Sequence, residues 1–264
     1  MKRLFTLIIT LQSIVIFAQP TITSSVAGGI GDEFSSTIVT TDGFDPGTGG
    51  ADMTWDFSGI STSGTLAEGS LIDPEETGHA AEFPGANVAS MSLAGNYGYF
   101  KLTASEYSLI GYYSAASTIL YSDPEEIFIF PLTYGTSNTD GLYSEFFSGG
   151  DIIREGGNVL SADGYGTLKL PSGTYSNVLR VKLEEDYSDT YVDFPLALEY
   201  NFDTYYWLKE GVLGPLFSYS YTEVIAGGPP SVSESYSINN NVDITSIENN
   251  VESILLSMYP NPAT

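Results

Sequence analysis

The run Asn177-Val178-Leu179-Arg180-Val181-Lys182-Leu183-Glu184 puts Leu179, Val181 and Leu183 on one face of an extended chain and Arg180, Lys182 and Glu184 on the other. Successive side chains of a strand point to opposite faces, so this period of two reads as a half-buried β-strand. Working outward, Pro171-Ser172-Gly173 supplies the turn into it. Further upstream, Asp163-Gly164 suits the positive φ angles of a tight hairpin between 158–161 and Thr167-Leu168-Lys169-Leu170. Downstream, strands are expected at 187–192, 196–202, 205–209 and 216–225, with Gly211, Gly214 and Pro215 as punctuation. Residues 158–226 therefore read as an antiparallel meander.

The first half offers candidate strands at 34–41, 53–57, 89–93, 97–102, 107–113, 127–130 and 142–147, and a short helical turn at Asp123-Pro124-Glu125-Glu126. No apolar pattern of helical period with caps at both ends competes with them. The chain holds 19 Tyr, 14 Phe and 28 Gly, a composition that favours pleated, half-buried surfaces and tight reversals over helices. The expected fold is all-β over residues 19–228: an antiparallel β-sandwich or a strongly curved meander sheet. Gly227-Gly228-Pro229-Pro230 then breaks the sheet, and residues 229–250, rich in Ser and Asn, read as a polar linker.

Lys2 and Arg3 precede an apolar stretch over 4–17, and Ala18 offers a small residue for cleavage, so residues 1–18 read as a secretory signal peptide. The stretch is too short and too interrupted for a membrane span of about 20 apolar residues, so no integral membrane segment is expected after cleavage. The whole chain carries a net charge of −25. Cleavage removes two basic residues and no acid, leaving 33 acidic against 6 basic side chains, a net of −27. That field repels phosphate backbones and anionic headgroups, which makes nucleic acid and acidic membranes poor partners.

The closing Met258-Tyr259-Pro260-Asn261-Pro262-Ala263-Thr264, behind its polar linker, resembles the start of the type A C-terminal sorting domain of proteins exported by the type IX secretion system of Bacteroidetes. That domain normally continues for several strands, so residues 251–264 read as the start of a truncated copy. The resemblance implies the type IX secretion machinery as a partner, recognition through Tyr259, Pro260, Asn261 and Pro262, and a secreted, extracellular or outer-membrane-surface location. The body is also similar to secreted proteins that travel with such tails, in segments such as Met53-Thr54-Trp55-Asp56-Phe57-Ser58 and Pro131-Leu132-Thr133-Tyr134-Gly135-Thr136. That likeness implies a β fold and carries over no catalytic residue.

Cysteine is absent, which excludes disulfides, thiolate zinc sites and cysteine nucleophiles. His79 is the one histidine and reads as a loop residue between Pro74 and Pro84, so any histidine-based triad would have to be built around it. Oxygen ligands abound, which makes calcium the metal best suited to the chain. The Gly-rich loop carrying Asp42, Asp45 and Asp52 is its candidate site, although it lacks EF-hand spacing and Pro46 stiffens it. The same glycines lack the Lys-Ser or Lys-Thr of a phosphate cradle.

Paired carboxylates could serve a glycosidase-like hydrolase if two faced each other at about 5 to 10 Å. Asp123, Glu125, Glu126, Glu184, Glu185, Asp186, Asp189 and Asp193 are the acids considered, and no catalytic pair is assigned. Aromatic strips remain: Tyr97 and Tyr99 in one region, Tyr205 and Trp207 in another. Exposed, they would stack on a glycan or meet a surface protein; otherwise they pack a core. The leading expectation is a secreted, non-enzymatic protein binding a polymer, matrix or protein partner. A carboxylate hydrolase is the alternative, and a half-barrel holding an apolar ligand, with a lined cavity in place of a filled core, is the third.

Overall fold

The computed structural model describes residues 19–92, 95–194 and 197–242; the residues read as a signal peptide, most of the second half of the segment read as a linker, and the motif read as a sorting signal lie outside them. Thirteen strands run in chain order: β1 (Glu33–Thr41), β2 (Gly50–Asp56), β3 (Thr65–Ile72), β4 (Val88–Ser92), β5 (Tyr97–Leu102), β6 (Glu106–Tyr113), β7 (Thr118–Ile129), β8 (Ser137–Phe147), β9 (Asp151–Leu170), β10 (Gly173–Tyr191), β11 (Ala197–Leu208), β12 (Phe217–Ile225) and β13 (Ser231–Asn239). The sheet runs β10-β11-β12-β13-β1-β3-β4-β5-β6-β7-β8-β9, and β9 pairs back onto β10. The all-β expectation holds. In place of a sandwich, however, twelve antiparallel strands close into a barrel, which leaves no open edge among them.

Two expectations fail for physical reasons that the topology makes plain. Residues 231–239, read as linker, form β13, which pairs with β12 on one side and β1 on the other and so closes the ring. Asp163-Gly164, read as a hairpin turn, lies inside β9, which runs on to Leu170 and turns into β10 only at Pro171-Ser172. The glycines there admit another strand. β2 lies parallel to the end of β9, pairing Met53 with Gly166 and Trp55 with Leu168. Gly166 has φ +156°, and a Cβ on it would stand 2.0 Å from Met53 O.

The expected helical turn at Asp123-Pro124-Glu125-Glu126 is likewise strand, within β7. It lies where the β6–β7 register slips between Leu109 and Gly111 and the β7–β8 register slips near Tyr121. An irregular ladder tolerates a proline that cannot donate.

Closure sorts each strand into a lumenal and an outer face. On β10, Leu179, Val181, Leu183, Glu185, Tyr187 and Asp189 face the lumen, because their neighbours on one face include residues from across the ring. Phe128 of β7, for example, packs edge-on against Tyr206 of β11, ring centroids 5.4 Å apart. Ile22 and Val26, buried in the segment that follows residue 18, pack with Leu160, Leu179 and Leu208 and stopper that part of the lumen. The outer face of β8–β11 carries Glu145, Glu155, Glu184, Asp186, Glu199 and Asp203. A membrane-spanning barrel shows the reverse, an apolar outer band.

The second core is outside the barrel. Residues 42–64, including β2, fold back as a flap over the outer face of β10–β13. There Phe44, Trp55 and Phe57 meet Trp207, Phe217, Tyr219, Tyr236 and Ile238. Arg180, 1% exposed, pins the flap. Its Nε and Nη2 donate to Asp163 at 2.8 and 2.7 Å, and its Nη1 donates to the carbonyls of Pro46 and Gly47 at 2.8 and 2.9 Å.

Candidate functional site in the barrel lumen

Because β12 and β13 turn their bulky residues outward under the flap, their inward positions are small. Ser218 and Ser220 of β12, Ser235 and Ser237 of β13 and Ser36 of β1 form one wall of the lumen. Ser36 and Ser237 of that wall, together with Phe100, Tyr107, Phe128 and Leu208 of β11, line a cavity of about 370 Å³. Its lining comes from strands around much of the ring, so it belongs to the lumen and not to a surface cleft.

A second, polar compartment of about 210 Å³ is lined by Tyr112, Tyr121, Glu125, Arg154, Glu185, Tyr187 and Tyr206. The Phe128–Tyr206 pair connects the two walls, Phe128 lining the first compartment and Tyr206 the second. Arg154 is already engaged there: Nε and Nη2 donate to the two oxygens of Asp189 at 2.7 Å each, and Nη1 donates to the Tyr121 hydroxyl at 3.1 Å. Its guanidinium also lies 4.3 Å from the Tyr187 ring centroid. Asn158, 3% exposed, donates from Nδ2 to Glu125 Oε1 at 3.0 Å.

Burial, reinforced by the charge of Glu125, pushes the Glu185 carboxyl up to about 8. Glu125 is also raised, by its own burial above all and despite the Asn158 hydrogen bond. Both groups are thus easier to protonate folded than unfolded. Their contribution to stability is full below the ordinary carboxylate value and is lost as pH rises, for Glu185 through about 8. Glu185→Gln, a neutral mimic of the protonated acid, is expected to match the parent near about pH 4.5 and to exceed it by about 3 kcal/mol near pH 9. Thermal unfolding across that range checks this; parallel pH profiles for the two proteins would refute it.

The structure distributes the sequence candidates differently from their order in the chain. Within Glu184-Glu185-Asp186, alternation sends Glu185 inward and its neighbours outward. Asp186 joins Asp123, Glu155 and Glu199 along an outer groove. Trp207 and Tyr99 are fully buried, and Tyr205 and Tyr97 are half-buried, so the aromatic strips serve as core. Trp207 and Tyr205 lie beside Arg180, while Tyr99 stacks on Phe83 with centroids 3.8 Å apart.

Asp42, Asp45 and Asp52 are not brought together. Asp45 Oδ1 accepts from Gly47 N at 2.8 Å, an ordinary turn contact, and no group of three potential ligands gathers among the described residues. His79 sits outside the barrel, stacked on Tyr113 at 3.4 Å, its Nδ1 2.7 Å from Glu82 Oε1.

Arg154, Asn158, Tyr187 and Tyr206 escaped the sequence reading as site residues. The signal that could have found them is the period of two: Arg154, Asn158, Glu185, Tyr187 and Asp189 all occupy the positions that carry Leu160 and Leu183 further along the same strands. Comparison with known proteins finds no matching family model, no matching curated protein and no matching solved structure. The closed barrel with its two lined compartments is therefore the ground for any functional reading.

Proposed function

We propose that this chain is an exported binding protein that holds a small, largely apolar molecule in the lumen of its barrel. The observation that carries the reading is the cavity of about 370 Å³ between the Phe100–Tyr107–Phe128 wall and the serine wall, where a filled core would otherwise be expected. Its volume falls within the range of small-molecule sites, about 300 to 1,000 Å³, and its mostly apolar lining with a few hydroxyls is their usual chemistry. Export rests on the signal-like residues 1–18 and the sorting motif at Tyr259-Pro260-Asn261-Pro262. The acid-rich outer wall suits a protein working in water.

Nile red, a neutral apolar dye, is expected to brighten on binding the folded protein. Ser237→Trp, which fills the cavity from the serine wall, is expected to weaken that binding at least about tenfold while leaving the circular dichroism spectrum unchanged. Equal binding by the two proteins would place the dye elsewhere and sink the lumenal reading.

A carboxylate hydrolase is the second reading, and one observation favours it: Glu125 and Glu185 share a compartment, and an acid titrating near 8 is suited to proton donation at neutral pH. Release of soluble sugar from a polysaccharide panel, lost in Glu125→Gln, would move the assignment to it.

A further inference from the structure

We propose that the polar compartment of the lumen is a receptor for a primary ammonium group, which makes the ligand class an amphiphilic amine: a cationic head held by Glu125 and Glu185, with an apolar body toward the neighbouring cavity. The proposal rests on the lumenal binding reading and adds the chemistry of the head group.

Three observations converge on it. First, two carboxylates line this compartment and, among the described residues, neither is hydrogen-bonded to a cation, although the charge of Arg154 reaches both. The guanidinium of Arg154, the one cation lining it, is held bidentately by Asp189 and donates its remaining contact to Tyr121.

Second, the amide of Asn158 is oriented by its bond to Glu125 Oε1, since only Nδ2 can donate to that oxygen. Oδ1 of this residue, 3% exposed, is then left without a hydrogen-bond donor among the described residues. Asn158 is also the cross-strand partner of Glu185, so its amide and both carboxylates belong to one patch of wall. Asn158 thus stands behind the lining and fixes Glu125 from there, and the two carboxylates that face the compartment are matched by the N–H donors of a primary ammonium.

Third, four tyrosines, with Ile127 and Leu183, complete the lining. The rings of Tyr112, Tyr121, Tyr187 and Tyr206 present faces that attract an organic cation, and they are poor surroundings for a metal ion seeking a shell of oxygens. Tyr112 is 42% exposed, which opens the compartment to entry. Tyr206 meets Phe128 at the partition between the compartments, so an alkyl stem attached to the ammonium has an apolar surface at hand.

The test is a matched set of probes on the folded chain: octylammonium, its neutral analogue octanol, and octyltrimethylammonium, which keeps the charge and lacks N–H donors. Calorimetric titration near about pH 9, above the titration of Glu185, is expected to show octylammonium binding at least about tenfold tighter than octanol. Octyltrimethylammonium should fall several-fold below octylammonium. In Glu125→Gln/Glu185→Gln the preference for octylammonium over octanol is expected to shrink to about threefold or less, with octanol binding retained.

Equal affinity of octylammonium and octanol for the parent protein would overturn the ammonium site and leave lumenal binding standing; that comparison needs no variant. A preference that survives the double substitution would also overturn it. Binding of neither probe would remove the lumenal reading and this one together.

Discussion

A chain ending at Gly228 is expected not to fold, whereas residues 19–242 fold as a closed barrel. The missing piece is β13, whose residues pair along their length with β12 and β1. Its loss opens two edges at once and takes Tyr236 and Ile238 out of the core beneath the flap, where Tyr236 packs on Phe44 and Phe217 and donates to Ser61 O at 3.0 Å. Two bare strand edges and a breached core exceed the about 5 to 15 kcal/mol by which a domain is ordinarily stable. The expected result is loss of near-ultraviolet circular dichroism and of dispersed amide resonances. A truncated chain that unfolds cooperatively near the temperature of the longer one would show that closure is dispensable.

Arg180→Gln is expected to destabilise the protein by about 3 to 5 kcal/mol, roughly 10 °C in melting temperature for a domain of this size. The substitution strands Asp163, removes the donor from two flap carbonyls, and leaves the ring faces of Trp55, Tyr205 and Trp207 without the cation that lies 5.1 to 5.8 Å from their centroids. The chain's two tryptophans, Trp55 and Trp207, both sit at this junction, so intrinsic fluorescence reports it directly. A red-shifted emission and protease cleavage within residues 42–64 are expected. Arg180→Lys should fall between the two, because it keeps the charge and loses the planar fork that spans Asp163 and the carbonyls. A variant melting within about 1 °C of the parent with unchanged emission would mean that the flap is held by its aromatic contacts alone.

These two effects mark where sequence reading stopped. The period of two in 177–184 identified β10, and the same rule, applied to Ser231-Val232-Ser233-Glu234-Ser235-Tyr236-Ser237-Ile238-Asn239, identifies β13: serines on one face, larger residues on the other. Composition alone reads the segment as linker, because its serine content masks the alternation. The same alternation puts Arg180 on the face opposite Leu179, the side that a half-buried strand would turn to solvent. It is buried because residues more than a hundred positions earlier lie over it.

Taken by itself, the sequence determined that the chain is β throughout, because alternation and turn chemistry are local properties of the backbone and its side chains. It also determined the sparse basic complement and the absence of thiols. Tertiary structure alone decided which of the two strand faces is the inside. On β12, Phe217 and Tyr219 alternate with Ser218 and Ser220, and a rule that sends apolar residues inward would have filled the lumen with rings. The flap provides those rings with a drier burial outside, and the serines are left on the lumenal face. The same long-range closure gathers Glu125 from β7, Arg154 from β9 and Glu185 from β10 into one compartment. Alternation specifies that two faces differ; only the elements that pack against each face, arriving from distant parts of the chain, determine what each one encloses.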